Sequence, residues 1–125
     1  VHIKDYKLSS SRKGIILNRC AIGKGDVDFR KTLDFIIKKC PKTSYSVELG
    51  ALQRREILGK EKIFWENFKY NLPQKKKYFN NLLNKTIKNK NLAKNPWENN
   101  FSSETILKYE MKELKESVKF LKNLS

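Results

Sequence analysis

The sequence predicts an α/β fold: two parallel strands joined through a helix, followed by a helical tail. Three observations carry this. Short strand-like stretches lie at residues 1–5 and 44–49, an amphipathic helical stretch lies between them, and helical periodicity dominates after Gly50. Strand, helix and strand in that order form a βαβ unit, which requires parallel strands and a right-handed crossover.

The elements follow in chain order. In residues 1–5, Val1 and Ile3 are apolar, His2 and Lys4 polar, and Asp5 closes the run. Residues 6–22 read as a loop, with three serines at 9–11 and a local apolar patch at 15–17. A tight turn follows at Gly23-Lys24-Gly25. Asp28 is suited to cap the next helix. There Phe29, Leu33, Ile36, Ile37 and Cys40 recur at helical spacing, Lys38 and Lys39 suit the C-terminal end, and Pro41 stops it. The second strand, residues 44–49, carries Val47 and ends near Glu48. Residues 55–70 read as a helix that Gly59 weakens or splits. Pro73 opens another helix at 74–92, with Phe79, Leu82, Leu83 and Ile87 on its apolar face. A loop at 95–101 holds Pro96 and Trp97. The last helix is capped by Ser103 and shows the clearest stripe: Leu107, Met111, Leu114, Val118 and Leu121. No internal repeat is found.

The chain has 125 residues and a formal charge of +15, from 28 Lys and Arg against 13 Asp and Glu. Such a balance suits nucleic acid. Yet lysine far outnumbers arginine, the better reader of phosphate and guanine, and asparagine is abundant between residues 80 and 100. That composition points to a coding bias that loads solvent-facing positions, so the expectation is no nucleic-acid partner. Cys20 and Cys40 form neither a metal-ligand pair nor a disulfide framework and fit a reducing cytoplasm. No apolar run reaches membrane-span length and no signal-peptide pattern is read in these residues, so no membrane partner is expected. The chain opens at Val1 directly in a strand-like run, which is expected of the C-terminal part of a longer protein.

His2 is the single histidine, and a lone strand histidine is more often a packed core residue than a ligand. Glu48 ends a strand, where a carboxylate is costly unless it is paired or metal-bound. In parallel α/β folds function gathers at the C-terminal ends of strands.

The run Val1-His2-Ile3-Lys4-Asp5, then Arg19 with residues 23–29 (GKGDVDF), then Ser46-Val47-Glu48, resembles the end of the sugar phosphate isomerase/epimerase family, the xylose isomerase-like TIM barrels. Phe64-Trp65 with Pro73 and the late helix with Ser117 and Leu121 resemble the C-terminal helices of one branch. The resemblance implies that residues 1–70 are the last two βα units of a TIM (β/α)8 barrel and residues 71–125 a helical C-terminal extension. It implies that His2 and Glu48 are two of four metal ligands, that Glu48 also acts as catalytic acid/base, and that Arg19 contacts substrate oxygens. The implied cofactor is a divalent metal ion (Mn, Mg, Co or Zn). The implied substrate is a small sugar or sugar-derived molecule, and the parent enzyme would be a cytoplasmic homo-oligomer. With only two ligands, this segment alone is expected to be inactive. Apurinic endonucleases share the barrel but carry an Asp-x-His pair before the glycine turn, where this chain reads Leu17-Asn18-Arg19-Cys20. Dehydratases and decarboxylases of the same barrel remain open. A small basic RNA- or ribosome-binding protein without catalysis is the competing class; it requires lysines clustered on one face with exposed aromatics.

Overall fold

The computed structural model of the chain describes residues 1–49, 54–86 and 96–124. The elements are β1 (His2–Ile3), β2 (Asp5–Ser10), β3 (Ile15–Cys20), α1 (Phe29–Lys39), β4 (Ser46–Val47), β5 (Arg54–Ile57), α2 (Lys62–Glu66), α3 (Leu72–Thr86) and α4 (Ser103–Lys122). The fold is mixed α/β, with β1 and β4 in one small sheet and β2, β3 and β5, in that order, in another. The chain gathers into two compact units. The first comprises residues 1–7, 19–53 and 94–125; the second comprises 8–18 and 54–93. Among the described residues no helix is long and apolar enough to cross a membrane.

In the first unit β1 and β4 pair in parallel, His2 opposite Ser46 and Ile3 opposite Val47, as the βαβ pattern predicts. Helix α1 begins where expected: the Asp28 carboxylate accepts from the Lys31 amide, satisfying one of the amides a helix start leaves free. The core is Ile3, Ile22 and Phe29, with Leu33, Val47, Phe120, Leu121 and Leu124 packed on it. Ile37 and Cys40, expected on the buried stripe, are exposed. The last helix is capped by Ser102, one residue earlier than the sequence suggests. Only part of its apolar stripe faces inward: Leu121 packs on the core and Leu114 is half-buried, whereas Leu107, Met111 and Val118 are exposed and Glu113 and Ser117 are buried. One hydrogen bond from outside the helix, from the Ile22 amide, holds this rotation. Ser117 Oγ accepts from the Ile22 amide (2.9 Å) and donates to the Glu113 carbonyl (2.7 Å).

Residues 6–22 are not the expected loop; most of them form the β2–β3 hairpin. The serines misled because they read as loop composition, although strands accept them where the ladder is otherwise satisfied. The actual turn is Ser11–Gly14. Ser11 Oγ accepts from the Gly14 amide (2.8 Å), and the Ser11 amide donates to the Gly14 carbonyl (2.8 Å). In the second unit, residues 55–70 are also not one helix. β5 pairs antiparallel with β3, Ile15 opposite Ile57 and Asn18 opposite Arg54, and α2 follows. Pairing with a distant strand overrides local helical spacing here. Gly59 does interrupt the pattern as expected. A side chain there would collide with the Phe79 ring, and its carbonyl accepts from Trp65 Nε1 (2.8 Å). Helix α3 carries the predicted Phe79 inward; Ile87 and the rest of the expected helix lie outside the described residues.

Candidate metal and acid/base site

Parallel pairing of β1 with β4 decides the site. Side chains alternate across a strand, so residues next to each other on paired strands share a face only in the correct register. His2 and Glu48 meet: His2 Nδ1 lies 3.2 Å from Glu48 Oε2, and donates to it when that nitrogen carries the proton. The His2 side chain is 70 % exposed and that of Glu48 27 %, so the pair opens to solvent. Glu48 is also tied to β1 through its own amide, which donates to the Ile3 carbonyl (3.1 Å).

Two further cations surround Glu48. Lys4 Nζ is 2.6 Å from its carboxylate. The Arg19 guanidinium donates to the Glu48 carbonyl and lies 3.7 Å from Oε1. The Lys4 ammonium first, then His2 and Arg19, hold the Glu48 carboxyl below the usual glutamate range, against the partial desolvation that would raise it. Arg19 approaches from the buried side, its side chain 3 % exposed and its guanidinium 5.5 Å from the centroid of the Tyr6 ring. The residue implied as a substrate contact is therefore placed behind Glu48.

Asp5 anchors the neighbouring glycine turn. Fully buried, its carboxylate accepts from the amides of Tyr6 (2.8 Å), Gly23 (2.9 Å), Gly25 (2.9 Å) and Val27 (3.3 Å). Such a ring of amides is a ready anion nest, here filled by the protein's own carboxylate. Gly23 sits at φ 84°, and a side chain at Gly25 would strike the Asp5 carboxylate. The turn is thus used up structurally, as its glycines suggested.

Behind Arg19 lies a buried polar layer that the sequence did not disclose. Glu113 is 7 % exposed; burial pushes its carboxyl up, while a hydrogen bond with Tyr109 and the Arg19 charge pull it down. The Tyr109 hydroxyl is pushed up by burial and by Glu113, and the Cys20 thiol is pushed up to about 12 by burial, Asp5 and Glu113. Nothing in a lysine- and glutamate-rich helix marks Glu113 as buried. Lys4 and Asp5 were visible within the motif, but their partners were not.

The donor chemistry of His2 and Glu48 fits a divalent cation in part. Two donors at neighbouring corners around a small divalent ion stand about 3 Å apart, close to the observed 3.2 Å. Among the described residues, however, no group of three or more His, Cys, Asp or Glu side chains gathers to hold a metal ion. The chain matches no family model, no curated protein and no solved structure.

Proposed function

We propose that this chain forms the closing part of a metal-dependent sugar or sugar phosphate isomerase/epimerase, built on a TIM (β/α)8 barrel. The observation that supports this most is the meeting of His2 and Glu48 at 3.2 Å from adjacent parallel strands. In this reading His2 and Glu48 supply two ligands, and residues outside this chain supply the other two. The bound divalent ion would polarise the substrate carbonyl and hydroxyl, lowering the cost of removing the adjacent proton. Glu48 takes or returns that proton at its carboxylate. Lys4 keeps the carboxylate ionised and orients it. Arg19 backs the strand end from the buried side and fixes the Glu48 carbonyl.

The test uses the complete reading frame that contains this sequence. Its product is incubated with ketoses and their phosphates in deuterated water, with and without a chelator. Metal-dependent deuterium uptake next to the carbonyl, lost in His2→Ala and Glu48→Gln, supports the proposal. Loss of water or carbon dioxide from a keto acid without such exchange would assign the chain to the dehydratase or decarboxylase class instead. No metal-dependent turnover of either kind would overturn it.

A further inference from the structure

The charge of this protein is concentrated in one unit. Within residues 8–18 and 54–86 there are 11 Lys and Arg against 3 acidic residues. The described residues of the other unit hold 14 against 10, although they are more numerous. A uniform coding bias would load both alike.

The same unit presents aromatic rings among its lysines. Phe64, Trp65 and Phe68 pack edge-on or tilted at centroid distances of 4.9–5.4 Å, and Trp65 meets Phe79 at 5.7 Å. Together with Gln74, Lys75 and Tyr78 they line an open groove of about 450 Å³. Lys75 Nζ stands 4.8 Å from the Phe68 centroid and Lys76 Nζ 5.9 Å from that of Trp65. Tyr78 is 67 % exposed and Tyr70 78 % exposed. Lys77 continues the basic run on α3.

We propose that this face binds single-stranded nucleic acid. The exposed Tyr78 ring at the groove offers a stacking platform to bases, and neighbouring ammonium groups meet the phosphates, which is how sequence-tolerant single-strand binders work. A second copy of the chain is a poor occupant, because two such basic faces repel each other. Lysine in place of arginine disfavours base-edge reading, so the binding is not sequence-specific. Stacking needs unpaired bases, so single strands are preferred over duplex.

The experiment is fluorescence anisotropy of the full chain with a labelled oligouridylate of about 16 nucleotides, the upper site size for a small single-strand binder. We expect binding that weakens about 20-fold between about 50 and 200 mM salt, as release of three phosphate contacts gives. The double variant Lys75→Gln/Lys76→Gln flattens that salt dependence. Tyr78→Ala weakens binding several-fold, whereas Tyr78→Phe retains it, since the exposed ring stacks but does not hold the core. Absence of binding overturns the proposal, as does binding that survives Lys75→Gln/Lys76→Gln and Tyr78→Ala unchanged. Equal affinity for duplex, or tighter association with vesicles containing anionic lipid, also overturns it in favour of a generic polyanion or membrane surface.

Discussion

Glu48 is held by charge from two sides, and this fixes its titration. Its folded-state carboxyl is lowered, chiefly by Lys4. A depressed carboxyl contributes stability above its ordinary range, and that contribution is lost as pH falls through the lowered value. Lys4→Met removes the largest cause, so we expect the Glu48 carboxyl to move upward, toward the ordinary glutamate range. Arg19→Met should move it less, because the Arg19 charge is the smallest of the effects on it. Carbon-detected NMR titration of the side-chain carboxyl reads both; an unmoved Glu48 in Lys4→Met would show that the contact does not hold in solution. The cysteines give a second residue-level check. Cys40 is exposed, whereas Cys20 is half-buried with its thiol pushed up to about 12. Reaction requires the thiolate, so Cys20 should react with a disulfide reagent at least about a hundredfold more slowly than Cys40. Equal rates in the native protein would contradict the buried layer around Cys20 and Glu113.

At the scale of elements, the βαβ frame was legible and much of the rest was not. Residues 1–5 and 44–49 alternate as strands do, and Asp28 before Phe29 marks a helix start by side-chain chemistry alone; both appear in the structure. The β2–β3 hairpin and β5 were missed because their pairing is non-local, Leu17 finding Arg55 across the intervening chain. The stripe on α4 was legible, but only its Leu114 and Leu121 turn inward, while Leu107, Met111 and Val118 stay exposed. Periodicity shows that a helix is amphipathic, but the hydrogen bond from the Ile22 amide to Ser117 Oγ helps decide which face is covered. For the candidate site, the order of motifs pointed to His2 and Glu48, whose side chains do meet, while the inward placement of Arg19 depends on β3, which was not foreseen. The Asp5 nest gives the test at this scale. Removing a buried carboxylate leaves four amides in need of acceptors, and each unsatisfied buried donor costs about 1–3 kcal/mol. Asp5→Ala should therefore destabilise the chain by about 3 kcal/mol or more in urea unfolding. A loss below about 0.5 kcal/mol would mean that the glycine turn stands without its anchor.

On the scale of the molecule, the two units divide the chemistry between them. The first holds the His2–Glu48 pair, the Asp5 turn and the core between α1 and α4, with a mostly apolar cleft of about 260 Å³ whose lining includes Ile3, Leu33, Leu121 and Leu124 together with the charged Arg30 and Asp34. The second holds the basic aromatic face. In the proposed function His2 and Glu48 act together as metal ligands, and the single histidine makes this directly measurable. Manganese(II) is titrated into the chain while the His2 ring signals are followed by NMR. Two protein ligands leave most of the coordination shell to water. We therefore expect selective broadening of the His2 ring at millimolar metal, abolished in Glu48→Gln. Broadening confined to other carboxylates, with the His2 ring unaffected, would contradict a metal site shared by His2 and Glu48.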